Sequence, residues 1–206
     1  DAYALEIAAR IKDVTPETKI ILLSMGPKQA EAALKECLAV GGDKAYLVSD
    51  RAFGGADTLA TSYTLKTAID KIETLEGKFD IIFCGKQAID GDTAEHMDCP
   101  QITYAIEAKV ENDEVLVKRE TGEGYEVLAA KMPCVITVTK PSFSPRYPTI
   151  KSKMAANRAT INTLTAADIP VDAERIGLKG SPTKVKKSFT PPQKQGGVVV
   201  KEDSPE

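Results

Sequence analysis

The stretch Cys84-Gly85-Lys86-Gln87-Ala88-Ile89-Asp90-Gly91-Asp92-Thr93-Ala94 gathers the residue types best suited to chemistry in this chain. Gly85 and Gly91 let backbone approach a ligand closely, because no Cβ stands in the way. Backbone N–H groups of such a loop, followed by a helix N-terminus, cradle phosphate oxygens. Thr93 adds a hydroxyl donor and Lys86 a positive charge. The stretch contains neither GxGxxG nor GxxxxGK[ST], so it is neither a standard dinucleotide fingerprint nor a P-loop. On the residues alone two readings stay open: a nucleotide or phosphate loop, and a polar loop that closes a strand. Ser24-Met25-Gly26-Pro27 ends another apolar run and is the second unusual loop.

Other candidates carry less. Asp90 and Asp92 form a carboxylate pair with a glycine between them, but no further acidic ligands gather nearby. A turn in which they bond their own backbone, or a ribose contact, is favoured over a metal. The four cysteines, Cys37, Cys84, Cys99 and Cys134, show no CxxC spacing. They read as small packed hydrophobes in a reducing cytoplasm. The single histidine, His96, argues against His-based metal sites and Ser-His-Asp catalysis, and it reads as a surface residue. A net charge of -3 over 206 residues, with both signs mixed, gives no footprint for nucleic acid. No apolar run approaches the roughly 20 residues needed to span a bilayer. The start at Asp1 in place of Met, with no signal peptide, points to a missing N-terminal segment.

These residues need elements to position them. Asp1 to Asp13 carries Ala4, Leu5, Ala8 and Ile11 at helical spacing. Lys19 to Ser24, Lys44 to Ser49 and Phe79 to Cys84 are short apolar runs of the kind buried on both faces of a parallel sheet. Helices are predicted between them over Gln29 to Val40, closed by Gly41-Gly42, and over Ala56 to Leu75, with Asp57-Thr58 at its start. That order predicts a Rossmann-like α/β fold with a parallel sheet. After about residue 100 the runs Ile102 to Lys109, Glu114 to Lys118, Tyr125 to Ala130 and Cys134 to Thr139 read as an antiparallel extension. Asn112-Asp113 and Gly122-Glu123-Gly124 supply hairpin turns. A short helix is expected over Ile150 to Arg158. Two regions result: a nucleotide-binding domain over 1–164, and an extended proline-rich arm over 165–206 that packs on a partner or stays mobile.

The segments LLSMGPKQAEAALKECLAVGGDKAYLVSDRAFGGADTLAT (22–61), FDIIFCGKQAIDGDTA (79–94), PQITYA (100–105), VKRETGEGYEV (117–127) and PRYPTIKSKM (145–154) together resemble the β subunit of electron-transfer flavoproteins. The resemblance covers nearly the whole chain and keeps the family's order. It implies a fold related to the adenine-nucleotide α-hydrolase-like group. It also implies a heterodimer with a larger α subunit that carries its own FAD. The β subunit would hold either a structural AMP or, in electron-bifurcating members, a second FAD. The matching nucleotide positions are Asp1, Met25 with its neighbours Ser24 and Gly26, and Gly85 to Ala94. The DGDTA wording resembles the bifurcating anaerobic bacterial members and favours FAD. In such members NADH supplies electrons that are divided between a low-potential acceptor such as ferredoxin and an acyl-CoA or hydroxyacid dehydrogenase.

Pro141 to Arg158 corresponds to the family's recognition loop. There Ile150 matches the apolar anchor, with Arg146 and Tyr147 beside it. The lysine-rich run of some relatives is replaced by Ala155-Ala156-Asn157-Arg158, so regulation through modified lysines does not carry over. The arm after about 165 would wrap the α subunit. Two departures stand out. The family begins with a strand of the VCVKQVPD type that does not precede Asp1. A segment of several residues is also absent between Ala94 and Glu95, where an interrupted chain, with Cα atoms farther apart than ~3.8 Å, is expected. Two other classes find no support. An ATP-pyrophosphatase-like enzyme would need an SGGxDS loop, and a stress-type nucleotide module would need a late glycine-rich loop.

Overall fold

Asp1 starts the first helix by capping it: one carboxylate oxygen accepts the N–H groups of Tyr3 (2.9 Å) and Ala4 (3.0 Å). The computed structural model describes residues 1–86 and 90–192, with backbone alone at 90–92. In it this helix, α1, spans Ala2–Val14. Then come β1 (Ile21–Met25), α2 (Glu31–Val40), β2 (Lys44–Val48), α3 (Thr58–Glu76) and β3 (Ile81–Gly85), the expected alternation. Gly41 ends α2 at φ 147°, a conformation that side chains avoid. Asp57 caps α3 by accepting the Ala60 N–H.

The second half comprises α4 (Asp90–Met97), β4 (Gln101–Glu111), β5 (Glu114–Thr121), β6 (Gly124–Lys131), β7 (Cys134–Val138), α5 (Ile150–Arg158) and β8 (Asn162–Leu164). Asn112 and Asp113, at φ 50° and 63°, make the two-residue turn between β4 and β5. Gly122 and Glu123 do the same between β5 and β6. β4, β5 and β6 pair antiparallel as expected. β7 does not extend that meander. It inserts between β3 and β4 and runs parallel to both. The residues explain why: CVITV is apolar but for Thr137 and wholly buried, the pattern of a strand covered on both faces. A solvent-facing antiparallel strand would alternate. β8 is an addition to the expected elements. It is three residues long, pairs parallel with β2, and is too short to show a period.

The parallel strands form two sheets, not one: β1-β2-β8 and β3-β7-β4-β5-β6. Among the described residues β1 pairs only with β2, and β3 only with β7. A cleft of about 790 Å³ is lined by both strands, by Leu5 and Ala8 of α1, and by Ile69 and Ile72 of α3. Every residue of β1 and β3 stays partly exposed in consequence. At the foot of this half, the Glu76 carboxylate accepts from Lys19, Lys44 and the Tyr46 hydroxyl. Those bonds, Lys19 first, favour the charged form and hold its pKa down to about 2.

Packing continues past the boundary expected at 164/165. Ile169, Ile176 and Ser181 are buried. The Thr183 N–H and hydroxyl donate to Asp57 at 3.1 and 2.8 Å. Residues 165–183 therefore close on α3, while 184–192 are exposed.

Candidate nucleotide rim and docking edge

The carboxyl ends of β1 and β3 bring the nucleotide candidates together only in part. Ser24 lies opposite Leu47 and Met25 opposite Val48, and the Gly26 N–H donates to Val48 O at 3.0 Å. β3 ends at Gly85, in register with Val138. Asp1 stands against that end: a Cβ on Gly85 would lie 2.8 Å from Asp1 Oδ2 and 3.1 Å from Asp1 Cβ. The glycine is required by this approach. Asp1, Ser24, Gly85 and Thr93 all line the cleft. Met25, Gly26, Lys86 and Ala94 do not; Ala94 lines a smaller polar hollow with Glu95 and Cys99. Gln87, Ala88 and Ile89 lie outside the described residues, as do the side chains of Asp90, Gly91 and Asp92.

The expected loop is shorter than Gly85 to Ala94, because α4 already begins at Asp90. Gly91 and two aspartates give it the wording of a loop, since glycine and aspartate are poor helix formers. Packing against α3 outweighs that propensity: Thr93 and Ala94 are both buried. The interruption expected at Ala94–Glu95 is not found. α4 runs through both residues, and the Cys99 N–H bonds back to Ala94 O at 3.3 Å. His96 is less exposed than expected. Its Nε2 is buried without a hydrogen-bond partner, and its ring meets Tyr63 edge-on at 6.1 Å. Burial raises the thiols of Cys37 and Cys99, and pushes Cys134 up to about 11, as befits packed side chains.

One residue beside Lys86 has no forewarning in the sequence. Tyr104 sits at φ 60°, where the β4–β7 register shifts between Ile102 and Ala105. A bulky side chain in the left-handed region is strained. Its N–H is fixed by Thr137 Oγ1 at 3.1 Å, and Lys86 Nζ lies 5.2 Å from the ring centroid. In sequence it is one aromatic within a strand, and nothing there signals a bulge.

The docking candidates lie on a second edge. Tyr147 and Ile150 are 90% and 83% exposed. α5 has the bounds expected, and a reciprocal capping box between Thr149 and Ser152 starts it. Arg146 differs from its neighbours. Its Nε donates to Glu6 Oε2 at 2.9 Å and its Nη2 to Asp13 Oδ2 at 2.7 Å. Hydrogen bonds from Arg146 and Arg10 hold the Glu6 carboxyl below its usual range against the opposing effect of burial. Arg146 is thus committed within the chain.

With this geometry in view, the comparisons with known proteins are specific. Residues 1–169 match the electron transfer flavoprotein domain. The chain is 53% identical to the electron transfer flavoprotein subunit beta of Megasphaera elsdenii, over 98% of this chain and 78% of that protein. It is 44% identical to the caffeyl-CoA reductase-Etf complex subunit CarD of Acetobacterium woodii, over 97% and 78%. It is 42% identical to the acryloyl-CoA reductase electron transfer subunit gamma of Anaerotignum propionicum, again over 97% and 78%. Among the described residues no helix is long and apolar enough to cross a membrane.

Proposed function

Because the chain belongs to the electron transfer flavoprotein family as a β subunit, we propose that it pairs with an α subunit and holds the adenine-nucleotide part of FAD at the carboxyl ends of β1 and β3. The observation that carries this reading is the convergence of Asp1, Ser24, Gly85 and Thr93 on one cleft mouth. Ligands of open α/β sheets sit outside the carboxyl ends of strands. Gly85 leaves room for the Asp1 side chain, which packs where a Cβ would stand and so holds Asp1 at the end of β3. The amino end of α4 lies just beyond, with backbone N–H groups suited to a phosphate. When bound, FAD supplies one- and two-electron chemistry. This chain's part is to bind it, orient it and shape its surroundings.

The DGDTA wording of residues 90–94 favours FAD over AMP, and with it a bifurcating role in which electrons from NADH are divided between ferredoxin and a flavin dehydrogenase. The names of two similar proteins, an acryloyl-CoA reductase subunit and a caffeyl-CoA reductase complex subunit, favour a partner acting on CoA thioesters. The docking edge is the face for that partner, since Tyr147 and Ile150 expose apolar surface that a small transient interface would cover. The arm packs on the α subunit: Val185 stands out between Lys184 and Lys186, and Phe189 just beyond Lys187. A cytoplasmic setting fits four cysteines that show no CxxC spacing.

The test is to denature the purified heterodimer and identify what is released. Two FAD per heterodimer is the expected result. One FAD with one AMP would turn the reading to a non-bifurcating subunit with a structural nucleotide.

A further inference from the structure

Glu6 is a buried carboxylate beside an exposed edge. Its side chain is 4% exposed, and it accepts from the Arg146 backbone N–H (3.0 Å), Arg146 Nε (2.9 Å), Arg146 Nη2 (3.3 Å) and Arg10 Nε (2.9 Å). Asp13, two turns further along α1, takes the other side of the guanidinium at 3.2 and 2.7 Å. Arg10 in turn stacks 3.8 Å over Phe143. Exposed ion pairs hold little, but a buried carboxylate that grips a backbone N–H and a planar fork fixes both position and direction. Next to the locked residue stands Tyr147, and beyond it Ile150 and Met154, one helical turn apart and 83% and 53% exposed.

We infer that Glu6 and Arg146 are positioning residues for partner docking: the buried carboxylate holds Arg146 so that Tyr147, Ile150 and Met154 present one preformed apolar ridge to the dehydrogenase. This rests on the docking reading above. Arg146 does not reach the partner. Its guanidinium is spent on orienting its neighbours, and the ridge meets the partner without first being ordered.

The test uses the heterodimer with an acyl-CoA dehydrogenase as electron partner, and compares Glu6→Gln, Arg146→Lys and Ile150→Ser. Gln keeps the shape of Glu6 and loses its charge; Lys keeps the charge of Arg146 and loses the fork. Both are expected to raise KM for the dehydrogenase roughly tenfold at unchanged kcat and flavin content. Both should also speed hydrogen exchange in the peptide carrying the Arg146 amide. Ile150→Ser should raise KM without touching that exchange. If Ile150→Ser raises KM while the other two leave it unchanged, the positioning role is overturned and docking stands. If Ile150→Ser leaves KM unchanged, the docking reading falls and the positioning role with it. Exchange at Arg146 that stays slow in Glu6→Gln overturns the lock itself. Arg146→Lys removes no buried group, so it carries the test if Glu6→Gln fails to fold.

Discussion

The proposed nucleotide rim and the proposed docking edge are built on different plans. At the rim, β1 and β3 end at a cleft that neither fills, and Thr93, Gly85 and Asp1 reach its mouth from three separate elements. At the docking edge Arg146 is paired with Glu6 and Asp13, and Thr149 with Ser152. The rim too has a group engaged within the chain, since the Asp1 carboxylate accepts from Tyr3 and Ala4, and in the proposed reading the ligand enters the cleft beside it. The edge is braced within the chain, and Tyr147 and Ile150 stand exposed there among the polar residues of α5. A cleft can enclose a ligand, whereas an exposed interface gains from costing nothing to order. One helix serves both, since α1 begins at Asp1 on the rim and carries Glu6 and Asp13 to the edge.

Three substitutions would break or sharpen this contrast. The largest effect is expected from Ile7→Ala. Ile7 is 1% exposed and packs α1 on the mixed sheet. Its truncation should cost about 3 kcal/mol, read as a lower urea midpoint. Nucleotide retention and docking should weaken together; loss of one alone would show that α1 does not join them. Gly85→Ala comes next. Its Cβ would meet the Asp1 carboxylate at 2.8 Å, so nucleotide content should fall roughly tenfold, about 1.4 kcal/mol, with KM for the dehydrogenase unchanged. Full nucleotide content would remove Gly85 from the site. The smallest effect belongs to Tyr104→Asn. Asparagine tolerates the left-handed conformation that Tyr104 holds at φ 60°, and relief of that strain should stabilise the chain by about 1 kcal/mol. Nucleotide retention should drop if the ring beside Lys86 walls the site. A gain in stability with no change in retention would leave the strain without a role there.

How much of this is legible in the sequence depends on which force decides each element. β1, β2, β3, α2, α3 and α5 arise from apolar period and capping residues, and they lie where those signals put them, within a residue or two. The docking edge is legible as exposed Tyr147 and Ile150, because α5 is polar around them. Arg146 reads in sequence as a docking cation, since its true partners Glu6 and Asp13 are 140 and 133 residues away. The rim is harder. α4 hides behind Gly91 and two aspartates, and the bulge at Tyr104 depends on β7 entering the sheet between β3 and β4. Local patterns register neither event, because each is decided by packing across the fold.

The shared helix imposes a rule on length. Five residues separate Asp1 from Glu6, about 7.5 Å of rise. Substitution on the outer face of α1 leaves both ends in place. Adding or removing a single residue between them would turn Glu6 by about 100°, away from Arg146, or swing Asp1 off the Gly85 Cα. α1 is therefore free to vary in composition and closed to insertion, a gauge block whose two end faces are ground to different parts.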